Sequence, residues 1–365
     1  MSRLRVGYFI AANTAILWLL LEAAAHVAIM GHQLVEPDFA YQHLSGPVKA
    51  NYAHMTPADV EELWLDTMAL RFRYKPIIGL VEDQMTSRFI NIDARGIRSN
   101  GTAAADFDGT MWMFGGSTTL GYGVADHETI PAYLESALGR PVLNFGARAH
   151  YSATENRLLN HYLRAGFRPA MAIFLDGINE SCEPDLDEDA LGEVVARAQE
   201  GYSWDLGRPV TYLVRVLAHR FPRVADTNTQ PRAELECRAA GTQLPLTEIL
   251  DRMLAERAAL CDLYQIACRT FVQPFPGLHG HYDEPGYEQS ADAVSLRALF
   301  NHLEPTWRQA GATFVTGALD RLGDHAYVDR AHYSAAAHRL IANAIALNVP
   351  TSGATTTTSP TARRP

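Results

Sequence analysis

Phe114-Gly-Gly-Ser117-Thr-Thr-Leu-Gly-Tyr-Gly123 sets a serine at the tip of a glycine-rich turn. Glycines let a chain turn sharply and bring backbone N–H groups close to a ligand, and a serine so exposed can serve as a nucleophile. The same turn is compatible with phosphate binding, but it lacks both the GK[ST] ending of a P-loop and a GxGxxG pattern. Far along the chain stands Tyr327-Val-Asp329-Arg-Ala-His332-Tyr-Ser334. A serine hydroxyl is a weak nucleophile until a base takes its proton, and a histidine is a good base when a carboxylate holds its other nitrogen. Asp329 and His332, three residues apart, have the types and spacing for that task; the plainer alternative is an aspartate capping a turn beside a surface histidine. Asn144-Phe-Gly146 and Asp176-Gly-Ile-Asn179-Glu180 complete the set. Each reads alone as a turn, but a glycine N–H and an asparagine amide are the kinds of donor that stabilise the oxyanion of a tetrahedral intermediate.

These segments need a scaffold that brings them together. Between about residues 106 and 349, short apolar runs alternate with helical patterns, the signature of a parallel sheet with helices on its faces. Five strands are predicted: Thr110 to Phe114, Pro141 to Phe145, Ala170 to Leu175, Arg269 to Phe275 and Ala312 to Gly317. Each functional segment then follows a strand, where ligands bind in open α/β sheets. Ser152-Ala-Thr-Glu155 reads as a capping box opening the helix after the second strand. The helix before the fourth strand places Leu246, Ile249, Leu250, Met253, Leu254, Cys261 and Tyr264 near one face, and Ser334 caps a last helix carrying Leu340, Ile341, Ala344 and Ile345. Residues from about 181 to 245 break this rhythm and read as an insertion, a candidate lid. Residues 32–105 read as an extension packed on the main domain, with a helix from Pro57 to Phe72 and a strand-like piece from Arg88 to Ile92. The Thr-, Ser- and Pro-rich residues 350–365 read as a disordered tail.

Ser117, Gly146, Asn179 and the Asp329/His332 pair, in this order, resemble the sequence blocks of the SGNH/GDSL hydrolase superfamily. The resemblance covers about Asp106 to Asn348. It implies a flavodoxin-like three-layer α/β/α sandwich on a five-stranded parallel sheet. It also implies that Ser117 is the nucleophile, His332 its base and Asp329 the orienting carboxylate. Ser117 and Gly146 are implied to give backbone N–H groups to the oxyanion hole, and Asn179 its side-chain amide. Gly116 departs from the usual aspartate of the GDS block, and Glu180 from the usual aspartate after the asparagine. The GGS form, the Asn91-Ile-Asp-Ala-Arg-Gly-Ile-Arg98 segment and an apolar N-terminus resemble bacterial membrane-anchored, extracytoplasmic members, some of which hydrolyse or transfer acyl groups on envelope polysaccharides. The implied activity is ester hydrolysis or acyl transfer on an acylated carbohydrate, with no cofactor. A noncatalytic envelope-binding or assembly protein on the same fold is the alternative.

Composition narrows the setting. With 31 Lys+Arg against 41 Asp+Glu, a formal charge of −10 argues against a surface built to neutralise nucleic-acid phosphates. Arg3 and Arg5 precede an apolar run from Val6 that resumes to Met30, long enough to cross a bilayer, and they hold the N-terminus inside. Residues 1–31 therefore read as an inner-membrane anchor with the remainder outside; Ala23-Ala24-Ala25 leaves a cleaved signal and secretion as the alternative. His279, His281, Asp283 and Glu284 lack fixed metal-ligand spacing and read as a polar loop. Of Trp64, Trp112 and Trp204, only Trp204, in the insertion, is placed to meet substrate. Four cysteines suit an oxidising compartment. If one continuous helix carried Cys261 and Cys268, their Cα atoms would lie about 10 Å apart, beyond disulfide reach, so a Cys182–Cys237 bridge is expected.

Overall fold

The structure, a computed structural model, describes residue 5 and residues 12–24, 41, 44–102, 106–180, 236–239, 242–282 and 286–350. In chain order the elements are α1 (Gly46–Asn51), α2 (Pro57–Met68), β1 (Phe72–Lys75), β2 (Gly79–Glu82), β3 (Met85–Thr86), β4 (Asn91–Ile92) and β5 (Met111–Gly115). They continue with α3 (Ser117–Leu120), α4 (Ile130–Leu138), β6 (Val142–Gly146), α5 (Ser152–Arg164) and β7 (Met171–Asp176). After a hairpin of β8 (Glu236–Ala239) and β9 (Thr242–Pro245) come α6 (Leu246–Tyr264), β10 (Cys268–Val272), α7 (Ala291–Gln309), β11 (Thr313–Phe314) and α8 (Ala335–Ala346).

Five of these strands form one parallel sheet in the order β11-β10-β7-β5-β6. Counted along the chain this is 2-1-3-4-5, the flavodoxin-like order, with its switch point between β5 and β7. Side chains alternate across the sheet with the two-residue period of a strand. Met111 and Met113 pack with Ile130 and Leu134 of α4 and Ile341 and Ile345 of α8. Trp112 and Phe114 face the other way, onto Leu158, Leu159 and Tyr162 of α5 and Cys261 of α6. Both faces are thus covered, which is why the strands read as nearly unbroken apolar runs. Phe114 stacks on Phe145 and Phe174 at centroid distances of 4.9 and 5.0 Å, tying β5 to its neighbours β6 and β7 next to the turns that follow them.

The five strands and the principal helices lie where periodicity places them, with four differences. The helix from Pro57 ends at Met68, because Phe72–Lys75 pairs antiparallel with Gly79–Glu82 as a hairpin. The strand-like piece from Arg88 to Ile92 is a strand only over Asn91–Ile92, paired with Met85–Thr86. The fifth strand of the sheet shortens to Thr313–Phe314, an edge strand paired with β10 alone, and the chain turns into a 3-10 helix over Thr316–Leu319. The expected capping box at Ser152 also fails. Tyr151 is the N-cap, its N–H donating to Thr154 Oγ1 at 2.9 Å. Ser152 and Glu155 are drawn instead into a buried ionic cluster described below.

Cys261 and Cys268 are disulfide-bonded, contrary to the expectation from a continuous helix. α6 stops at Tyr264, Gln265 takes a left-handed conformation (φ 54°), and the chain reverses into β10, leaving the two Cα atoms 6.2 Å apart. Cys182 and the side chain of Cys237 lie outside the described residues, as do Trp204, residues 181–235 of the insertion and residues 351–365. Among the described residues no helix is long and apolar enough to cross a membrane. The expected crossing is described only as a helix over residues 12–24, with residues 6–11 and 25–30 outside the description.

Candidate active site

Ser117 opens α3 immediately after β5, and Asn179 follows β7, so the two flank the switch point of the sheet. The Ser117 position follows from its neighbours. α3 is a single turn ended by Gly121 in the left-handed region (φ 90°), where a Cβ would also lie 2.6 Å from Thr129 Cγ2. His332 lies on the loop before α8. Its Nε2 is 2.8 Å from Ser117 Oγ, and its Nδ1 is 2.7 Å from Asp329 Oδ2. The other Asp329 oxygen accepts the N–H groups of Ala331 (2.8 Å) and His332 (2.7 Å), so one carboxylate shapes the turn and orients the ring. Burial alone would raise the Asp329 pKa, but His332 and these donors together hold it below the ordinary carboxylate value. The Tyr122 ring stacks on the imidazole at a centroid distance of 4.4 Å. Beneath the pair, Gln273 Oε1 accepts from Thr118 Oγ1 (2.7 Å) and Tyr333 OH (3.0 Å), joining the serine turn to the histidine loop.

The Asn179 side-chain amide donates to His150 O at 3.0 Å and lies against Gly116, where a Cβ would come 2.1 Å from Asn179 Nδ2. The second amide hydrogen of Asn179 remains for another acceptor. The N–H of Gly146, one of the expected donors, donates to Asn144 Oδ1 at 2.9 Å. Its need for glycine is steric. A Cβ there would lie 2.2 Å from Leu120 N and 2.6 Å from the Thr119 carbonyl carbon, both backbone. In the turn that follows, the N–H groups of Ala147, Arg148 and His150 go to Gly115 O, Glu82 Oε1 and Ala147 O. Ala149, at φ 60°, makes no N–H hydrogen bond among the described residues. An alanine carries no mark of such a conformation in sequence, so only the fold reveals it.

Under the Asn179 loop lies a group of residues that periodicity did not mark. Arg257, on the apolar face of α6, meets both oxygens of Asp176 at 3.0 and 2.9 Å and Glu155 Oε2 at 3.2 Å. Ser152 Oγ donates toward Asp176 Oδ2 (3.2 Å) and Glu180 Oε1 (3.1 Å). Two buried carboxyl groups thus share one guanidinium, and a third, Glu180, joins them through Ser152. Burial first, and then the neighbouring Asp176, pushes Glu180 up to about 8 from an ordinary 4.5, against the pull of Arg257; burial likewise raises Glu155. The folded protein holds a proton on Glu180 that the unfolded chain releases above about pH 4.5. Its contribution to stability is therefore full below that pH and is lost as pH rises toward about 8. Glu180→Gln, close in shape to the protonated acid, is expected to flatten this dependence. Urea midpoints at pH 5 and pH 8 that differ as much in the variant as in wild type would refute it.

Among the described residues, the other clusters make no hydrogen bond to Ser117, Asp329 or His332. His279 Nδ1 accepts the Phe275 N–H, and His281 faces Glu288 and Asp324 across an exposed loop. Asp283 and Glu284 lie outside the described residues. Asp324 and His325 sit in an exposed 3-10 turn apart from the Ser117 chain, while Trp112 is fully buried and Trp64 nearly so.

No family model matches this chain, and no curated protein does. Among solved structures it is similar to LAE5, an alpha/beta hydrolase enzyme from the metagenome of Lake Arreo, at 15% identity and TM-score 0.35, covering 65% of this chain and 93% of that one. It is similar to a putative lipolytic protein of the G-D-S-L family from Desulfitobacterium hafniense, at 11% identity and TM-score 0.38, covering 66% and 100%. A carbohydrate acetylesterase family member from Sinorhizobium meliloti gives 13% identity and TM-score 0.38, covering 66% and 96%.

Proposed function

We propose that this chain is a serine-dependent ester hydrolase or O-acyltransferase of the SGNH/GDSL type, working through an acyl-serine intermediate. The observation that carries the reading is the continuous hydrogen-bond chain from Ser117 Oγ through His332 to Asp329. His332 Nε2 takes the Ser117 proton as Oγ attacks the acyl carbon, and Asp329 holds the ring in the tautomer that presents Nε2 as acceptor. The oxyanion that forms is met by Ser117 N–H, the first N–H of a helix and so without an intrahelical partner, and by the second hydrogen on Asn179 Nδ2. The third donor we propose is a backbone N–H of the Gly146 to His150 turn, whose His150 carbonyl anchors Asn179 and whose Ala149 N–H makes no other hydrogen bond among the described residues. His332 then returns the proton to the departing alcohol, and water or a sugar hydroxyl resolves the acyl-serine.

The substrate class proposed is an O-acylated envelope carbohydrate, on the resemblance of the GGS block, the Asn91 to Arg98 segment and the apolar N-terminus to membrane-anchored relatives. The test is to incubate the protein with acyl esters and acetylated glycans and measure free acid against acyl group transferred to an added sugar. Free acid alone marks a hydrolase, transferred acyl a transferase, and neither from any ester moves the reading to a noncatalytic protein.

The proposal includes an inner-membrane anchor with the catalytic domain outside. Within residues 12–24, consecutive side chains from Ile16 to Leu21 are exposed, Leu17 by 63% and Leu20 by 62%. A helix apolar and exposed on all sides suits lipid. A reporter that works only outside the cytoplasm, fused after Pro365, is expected to be active; activity from a cytoplasm-only reporter in its place rejects the topology.

A further inference from the structure

We infer that the segment preceding the main domain is part of the catalytic apparatus: Asn51 and Tyr52 pin the serine turn and the histidine loop to one another, as positioning residues. This rests on the serine-enzyme reading above. Ser117 and His332 are 215 residues apart in sequence and sit on separate loops, so their 2.8 Å hydrogen bond survives only if something fixes one loop against the other.

The two residues are adjacent at the end of α1. Successive residues of a helix project about 100° apart, so neighbours at its last turn can reach two different loops. Asn51 Nδ2 donates to Tyr327 O, two residues before Asp329, at 3.0 Å. Tyr52 OH donates to Gly123 O, on the serine turn, at 2.8 Å. Burial above all raises the Tyr52 pKa well beyond its ordinary value, so the phenol remains a donor.

Packing repeats the connection. The extension has its own apolar cluster, built on Val48, Tyr52, Val60, Leu63 and Trp64, and into it go Leu120 from the serine turn and Val328 from the histidine loop. The Trp64 ring meets Tyr122 edge-on, with centroids 6.1 Å apart, and Tyr122 is the ring stacked on His332. A Cβ on Gly123 would lie 3.1 Å from Val328 Cγ2 and 3.4 Å from the Trp64 ring, so turn, loop and extension converge at one point. An extension serving only to cover the sheet edge has no need to hydrogen-bond carbonyls on both catalytic loops.

The test uses the full chain, a fluorophosphonate as probe of the activated serine, and p-nitrophenyl acetate as a small ester. A misplacement of reacting groups by about 1 Å can cost on the order of 10²-fold. On that scale Asn51→Ala and Tyr52→Phe are each expected to slow labelling about 10-fold and together about 100-fold. The esterase kcat should fall in parallel while KM stays nearly constant. Tyr52→Phe keeps the ring in its cluster, so it decides the matter if the double variant does not fold. Thr67→Ala serves as the comparator. It removes a hydroxyl bond to Leu63 O (2.7 Å) inside the same extension, away from both loops, and should lower Tm with labelling unchanged. Wild-type labelling rates in Asn51→Ala and Tyr52→Phe would overturn the inference while leaving the serine reading intact. It is overturned equally if Thr67→Ala, at the same loss of Tm, slows labelling as much. No label on the wild-type protein is a distinct result that removes the serine reading itself and this inference with it.

Discussion

Ser117→Ala is expected to abolish fluorophosphonate labelling and ester turnover while leaving the fold intact. The fluorophosphonate reacts with a serine only when a base has activated its hydroxyl, so labelling reports the 2.8 Å Ser117 to His332 hydrogen bond whatever the natural ester is. His332→Ala should also remove labelling. Asp329→Asn keeps two acceptor contacts possible at the turn but takes away the charge that stabilises imidazolium and disturbs the ring's tautomer, so its activity should fall close to that of the serine variant. Circular dichroism and Tm must match wild type in each variant. Labelling of Ser117→Ala at the wild-type rate would show that another residue takes the probe and that the assigned triad is wrong.

Gly116→Ala is expected to cost about 10²- to 10³-fold in turnover, the loss typical of one oxyanion donor, with little loss of stability. The backbone at Gly116 (φ −79°, ψ −156°) is open to any residue, so the effect is steric and not conformational. A Cβ would stand 2.1 Å from Asn179 Nδ2 and 3.3 Å from His150 O, the two ends of the hydrogen bond that aims the amide. The amide is the end of a side chain and can swing away, which spares the fold and disarms the site. Asn179→Ala should therefore lose about as much as Gly116→Ala, and the double variant should lose no more than either alone, as expected of two changes acting on one group. Additive losses, or full turnover in Gly116→Ala, would separate Gly116 from Asn179 and reject this account.

Sequence by itself determined the elements and the chemical residue types. The alternation of Met111, Trp112, Met113 and Phe114 and the cap at Ser334 act over a few residues, and they are legible because a strand's two-residue period and a helix's orphan N–H groups are local properties. Asp329 and His332 were legible as a pair for the same reason, being joined within one turn. Tertiary structure alone decided the partners of buried polar groups. Arg257 and Asp176 are 81 residues apart, and Asn51 and Tyr327 are 276 apart; no periodicity spans such distances. A desolvated charge or carbonyl must find a partner wherever the fold supplies one. That requirement turned Ser152 and Glu155 from a helix cap into members of a buried cluster. The Gly146 N–H donates to Asn144 Oδ1, and the missing side chain of Gly146 makes room for the backbone of α3, neither of which its motif announces. The Cys261–Cys268 bridge depended on where α6 ends, and one left-handed residue at Gln265 decided it by reversing the chain.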